Sequence, residues 1–136
     1  MTDLVVSGSC LCGSIVYEVA KIETATAHCH CIMCRKFHGS AYATFGEAKV
    51  SNFRWVKGEE LLKTYTAENG TLRKFCADCG SSLIFESADC ARDIIEFSLG
   101  TLDTTSDAEP DAHIYTAYKA DWSEITDDLP QFKEGR

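Results

Sequence analysis

Seven of the eight cysteines fall into three short runs, Cys10-Leu11-Cys12, Cys29-His30-Cys31-Ile32-Met33-Cys34 and Cys76-Ala77-Asp78-Cys79. Thiols at this spacing are the donors of a soft metal ion. A tetrahedral zinc takes four of them at about 2.3 Å, and a C-x2-C turn delivers two from one knuckle. Cys10 and Cys12 can deliver two more, because residues two apart on an extended segment point to the same side. The sequence therefore predicts an extended stretch there, just before the first clear strand. The middle run holds three thiols within six residues, so standing alone it makes a metal site with one coordination position open. An open position is where chemistry takes place.

Three thiolates around a divalent zinc leave a net charge of −1 and blunt its Lewis acidity. Such a site suits the handling of a thiolate better than the generation of hydroxide for hydrolysis. Arg35 and Lys36, directly after the third thiol, are candidates to hold the carboxylates of a peptide-like thiol by charge-assisted hydrogen bonds. His38, next to Gly39, is a candidate to reach the open face. His30 lies between two ligands, so its side chain points away from the metal, toward a supporting or surface role. Cys90 has no cysteine neighbour and reads as a bystander thiol. The Arg73-Lys74 pair reads as solvated surface charge, and Trp122 as a packing residue.

The elements that must position these residues are short. Alternation and β-branched or aromatic enrichment predict strands near Ser14–Val19, Ala41–Phe45, Ser51–Val56, Leu62–Thr66, Thr71–Phe75, Leu83–Glu86, Ile94–Leu99 and Ala112–Tyr118. One helical turn or two is predicted after Cys31, ending before Gly39, and a second at Ser123–Asp128. At 136 residues and 45 % apolar content, residues 1–136 read as one mainly β domain. The longest apolar runs are only a few residues, and the first nine residues carry no basic and apolar leader. The expectation is a soluble cytoplasmic protein with no membrane partner. In a reducing compartment clustered thiols are metal ligands more often than disulfides. The 13 basic residues are scattered and outnumbered by 21 acidic ones, giving a formal charge of −8, so no nucleic-acid partner is expected.

Four stretches together carry a family resemblance: C-x-C-G at Cys10–Gly13, C-H-C-x2-C-R-K at Cys29–Lys36, F-C-x2-C-G-S at Phe75–Ser81, and a tail running from His113-Ile114 through Lys119 and Trp122 to Leu129-Pro130 and Phe132. The chain resembles the glutathione-dependent formaldehyde-activating family, also called the Gfa or CENP-V domain family, over Ser9 to Phe132. The resemblance implies a β-tent fold with short helical turns and two zinc ions. One is a structural zinc on Cys10, Cys12, Cys76 and Cys79. The other is a catalytic zinc on Cys29, Cys31 and Cys34, serving a carbon–sulfur lyase or a glutathione-adduct-forming activity. Its partners are then a small-molecule thiol such as glutathione and an aldehyde such as formaldehyde, with homodimerisation left open. Two other readings compete. In a non-enzymatic thiol- or protein-binding module, both metal sites are closed by protein. A methionine sulfoxide reductase on a related scaffold would need Cys90 as its reactive thiol.

Overall fold

A computed structural model of the chain describes residues 5–88 and 93–136. Cys90 lies outside the described residues. In chain order the strands are β1 (Val6–Ser9), β2 (Val16–Val19), β3 (Ala27–Cys29), β4 (Ala43–Lys49), β5 (Phe53–Lys57), β6 (Leu62–Thr66), β7 (Leu72–Cys76), β8 (Ser82–Glu86), β9 (Ile94–Ser98) and β10 (Ala112–Ile114). The helix α1 spans Ile32–His38. The fold is mainly β, as the sequence predicts.

The strands form two sheets. A small antiparallel sheet has the order β1-β2-β5, and a seven-stranded sheet has the order β10-β3-β4-β9-β8-β7-β6. All pairings are antiparallel except β10 with β3, which run parallel with His113 opposite His28. The small sheet buries Val6, Tyr17 and Val19 against Ala48, Leu83, Ile84 and Phe97 of the large one. A fully buried Leu or Phe contributes about 1.5–3 kcal/mol. Tyr17 stacks on Phe53 at 5.0 Å between ring centroids. Its hydroxyl, which cannot be left unpaired in a core, shares a hydrogen bond with Thr101 Oγ1 at 2.6 Å. A second, smaller cluster contains Ala43 and Phe45, with Phe85, Ile114 and Tyr115 packed against it.

Each core carries one thiol cluster. Cys10 and Cys76 belong to the larger core, and Cys29 and Cys34 to the smaller. Because Cys10 follows β1 and Cys76 ends β7, the first cluster joins the two sheets.

The structure departs from the sequence expectations in specific places. Cys10 to Gly13 is a turn and not an extended segment: the Gly13 N–H donates to the Cys10 carbonyl at 3.0 Å, and the pair converges through the turn. The last predicted strand stops at Ile114, because Tyr115 enters the left-handed region at φ 58°. No helix forms at Ser123–Asp128. There Asp127 turns instead toward His113, a tertiary hydrogen bond overriding a weak local preference. The predicted helix is present and ends at His38, with Gly39 as its left-handed cap donating to the Arg35 carbonyl. Among the described residues no helix is long and apolar enough to cross a membrane.

Candidate metal centres and active site

The first cluster brings Cys10, Cys12, Cys76 and Cys79 together with all four Sγ atoms within 4.8 Å of one another. Cys10 and Cys12 sulfurs lie 3.6 Å apart and Cys12 and Cys76 sulfurs 3.9 Å apart. Sulfurs at zinc-binding distance on a tetrahedron are separated by about 3.8 Å. The donor set fits a tetrahedral thiolate site. Two similar turns build it. Gly13 at φ +80° and Gly80 at φ +79° close the two knuckles, with the Gly80 N–H donating to the Cys76 carbonyl at 2.8 Å. A side chain in that left-handed conformation would be strained, whereas glycine is not.

Polar groups around these sulfurs favour thiolates. The Ile15 N–H donates to Cys10 Sγ at 3.3 Å. Ser14 Oγ lies 3.4 Å from Cys12 Sγ, and Ser81 Oγ lies 3.3 Å from Cys79 Sγ. The Ser81 hydroxyl also accepts from the Leu11 N–H at 2.8 Å, which links the knuckles of the two sheets. The Ser81 hydroxyl and backbone N–H pull the Cys79 thiol down to about 5. Burial pushes Cys76 up to about 11.

The second cluster draws Cys29 from the end of β3, Cys31 from the position that caps α1, and Cys34 from its first turn. Their sulfurs also lie within 4.8 Å of one another, and among the described residues no fourth Cys, His, Asp or Glu donor joins them. The Cys34 N–H donates to Cys31 Sγ at 3.3 Å. Hydrogen bonds from the Cys29 and Cys34 thiols, aided by that N–H and by the Arg73 charge, hold Cys31 far down at about 2. The same sharing pushes Cys29 up. The three thiols thus favour a single thiolate, on Cys31, while Cys34 is pushed up to about 11; a metal ion would supply the charge that three thiolates need.

Strand alternation separates sulfur from imidazole. Cys29 and Cys31 face one way and His28 and His30 the other. His30 is fully buried, and its Nε2 lies 2.8 Å from His113 Nδ1. His113 Nε2 in turn lies 2.9 Å from the Asp127 carboxylate, whose pKa the His113 hydrogen bond lowers. In a neutral His113 that donates to Asp127 through Nε2, Nδ1 accepts and His30 Nε2 donates. This chain fixes the backbone between two candidate ligands. His30 is buried in it and is not a surface residue.

The proposed substrate-binding residues are dispersed around the second cluster. Arg35 Nη1 donates to the Tyr118 carbonyl at 2.9 Å. Lys36 is exposed, at the mouth of an apolar depression of about 430 Å³ whose walls include Met33, Phe37, Tyr65 and Phe75. His38 packs edge-on to the Phe45 ring, with centroids 5.5 Å apart, and burial pulls it down to about 4. Trp122 is 69 % exposed, so the packing role read from sequence is not the one it has.

Two residues near the thiols escaped the sequence reading. Arg73 is 3 % exposed rather than solvated, and its Nη2 donates to Cys34 Sγ at 3.6 Å. The available signal was its parity with Thr71 on a predicted strand. Tyr115, the one non-glycine residue at positive φ among those described, packs against the three-thiol cluster. Burial, then the thiols, raise its pKa. Left-handed backbone costs a tyrosine about 1–2 kcal/mol, and such strain concentrates at functional sites.

The histidines give the fold an acid limit. His30 and His38 titrate near 4 when folded, both through burial, against an ordinary value of 6.5. Between those values the unfolded chain binds more protons than the folded one, so stability falls as pH is lowered from about 6.5 to 4 and levels off below. His38→Gln should shrink the drop in melting temperature between pH 6.5 and 4.5. An equal drop in both proteins would remove His38 from the account.

Comparison with known proteins completes the picture. A family model described as "Glutathione-dependent formaldehyde-activating enzyme" matches residues 5–118. A Schizosaccharomyces pombe protein named as an uncharacterized lyase is 30 % identical over 78 residues, which are 57 % of this chain and 55 % of that protein. The chain thus aligns with about half the length of this curated relative. A crystal structure of a Rhodobacter sphaeroides protein shares the fold with a TM-score of 0.61 at 24 % identity, covering 74 % of this chain and 91 % of that one. The chain belongs to the glutathione-dependent formaldehyde-activating enzyme family.

Proposed function

We propose that the protein is a zinc-dependent enzyme that adds a glutathione-type thiol to a small aldehyde such as formaldehyde, or runs the reverse carbon–sulfur lyase reaction. The observation that carries this reading is the inequality of the two clusters, four sulfurs in one and three in the other with no fourth described donor. The lyase name of the fungal relative supports the reaction class. The first cluster is read as a structural zinc site and the second as the catalytic one. A metal ion on Cys29, Cys31 and Cys34 supplies a cation that favours the thiolate form of an incoming thiol and leaves one position for it.

The chain's own residues then bind and orient. Arg35 and Lys36 follow Cys34 on α1, which supports reading them as the residues that receive a thiol's carboxylates once Arg35 leaves the Tyr118 carbonyl, and His38 borders the same cluster through Phe45. In the forward direction the thiol sulfur forms a bond to the carbonyl carbon, and the proton that left the thiol ends on the carbonyl oxygen. No electron acceptor is needed. Half-burial of the cluster limits competing water, and the His30–His113–Asp127 chain keeps the Cys29–Cys31 backbone in place. Free, clustered thiols support a reducing, cytoplasmic setting. The binding-module alternative requires a fourth protein ligand at the three-thiol cluster. A reductase reading would rest on Cys90.

Calorimetric titration with glutathione, paired with NMR detection of the hydroxymethyl adduct from labelled formaldehyde, tests the proposal. Zinc-loaded protein should bind the thiol and speed adduct exchange, and Cys31→Ser should lose both while keeping its melting temperature within a few degrees. Native glutathione affinity in that variant would remove the proposed active centre. Cys76→Ser should instead destabilise the protein by about 4 kcal/mol or more, read from urea unfolding. An unchanged midpoint would contradict a structural metal there.

A further inference from the structure

Arg73 presents an electrostatic problem that the proposed reaction does not use. It sits on β7 with 3 % of its surface exposed. Its guanidinium lies over two aromatic rings, 5.5 Å from the Phe37 centroid and 4.9 Å from the Phe85 centroid. None of the ion pairs among the described residues includes it, and its Nε and Nη1 atoms are buried without a hydrogen-bond partner. A guanidinium cannot shed its proton to escape this. A buried charge without a counter-charge is strongly unfavourable. Its one polar contact is Cys34 Sγ, at 3.6 Å.

Three thiolates around a divalent ion carry a net charge of −1, and one guanidinium cancels it. Resting on the reading of Cys29, Cys31 and Cys34 as a metal site, we infer that Arg73 is the counter-cation of that site and makes its open position selective for anions. With Arg73 in place, an anionic fourth ligand brings the site to a net −1. Without it the same ligand would raise a half-buried site to −2, which low polarity penalises steeply. Neutral ligands escape the penalty, since they add no charge. Arg73 thereby favours a thiolate over a neutral donor. It acts through Cys34 and through charge, so it is a positioning residue. The rings of Phe37 and Phe85 hold the guanidinium plane and attract its charge. Lysine, with no planar fork, fits that slot less well but keeps the charge.

Cobalt(II)-loaded protein reads this directly, because thiolate-to-cobalt absorption bands report a change in the coordination of the open site. Thiocyanate serves as the anionic probe and imidazole as the neutral one. Arg73→Met should weaken thiocyanate binding by about tenfold or more and leave imidazole within about twofold. Arg73→Lys should restore most of the anion affinity. Arg73→Gln is a second neutral variant with the same expected loss, should the methionine variant fail to fold. Native thiocyanate affinity in a neutral variant, or equal loss of both probes, would overturn the inference and leave Arg73 a packing residue. A wild-type chain that takes up a single cobalt would overturn the open-site reading and this inference with it. Two bound cobalts with an anion affinity indifferent to Arg73 would overturn this inference alone.

Discussion

Buried sulfur is the constraint on which the rest of the structure depends. Cys10, Cys29, Cys34 and Cys76 are all buried, and the clusters they anchor stand at the two apolar cores. Gathering thiolates in such places is unfavourable until cations and hydrogen-bond donors surround them. Local features around both clusters answer that demand. Glycines in the left-handed region close the knuckles, the Ile15 and Cys34 N–H groups aim at sulfur, and Ser14 and Ser81 bring hydroxyls alongside. On the reading of both clusters as metal sites, a small β chain with two modest cores would gain from ions at these points what a larger core would otherwise supply.

The two clusters solve the problem differently, and their difference is the functional content of the fold. The four-sulfur cluster takes equal shares from two sheets and offers the four donors of a closed site. On the proposed reading it is structural, with no position left for chemistry. The three-sulfur cluster is drawn from one continuous segment, β3 into α1, and leans on neighbours for what it lacks. Arg73 approaches from β7, Tyr115 closes in with a strained backbone, and the imidazoles of His30 and His113 hold the opposite face. An incomplete donor set braced in this way supports the proposal that a ligand completes it, and the family to which the chain belongs is named for glutathione and formaldehyde.

The two thiol clusters were legible in the sequence because ligand-type spacing compresses its signal into a few residues. C-H-C-x2-C and C-x2-C announce themselves through spacing alone. Helix α1 was readable from Gly39, and β6 from its β-branched and aromatic residues Thr64, Tyr65 and Thr66. What stayed hidden was tertiary. Strand alternation is one way to bring Cys10 and Cys12 together, and the fold uses the other, a turn for which Gly13 was the clue. Strand β3 has three residues, too short to show a period, and is held between β4 and the parallel strand β10, where His28 lies opposite His113. Asp127 has no local mark of its role, since its partner is His113. Arg73 looks like any surface arginine until Phe37 and Phe85 are placed around it.

The measurement that bears most directly on the account is zinc-edge X-ray absorption, with metal content, on protein purified under reducing conditions with zinc supplied. The account predicts two zinc ions per chain that share seven sulfurs, with one lighter donor in the eighth position. A single zinc, or two zincs each bound by four protein ligands, would contradict the division into a closed site and an open one.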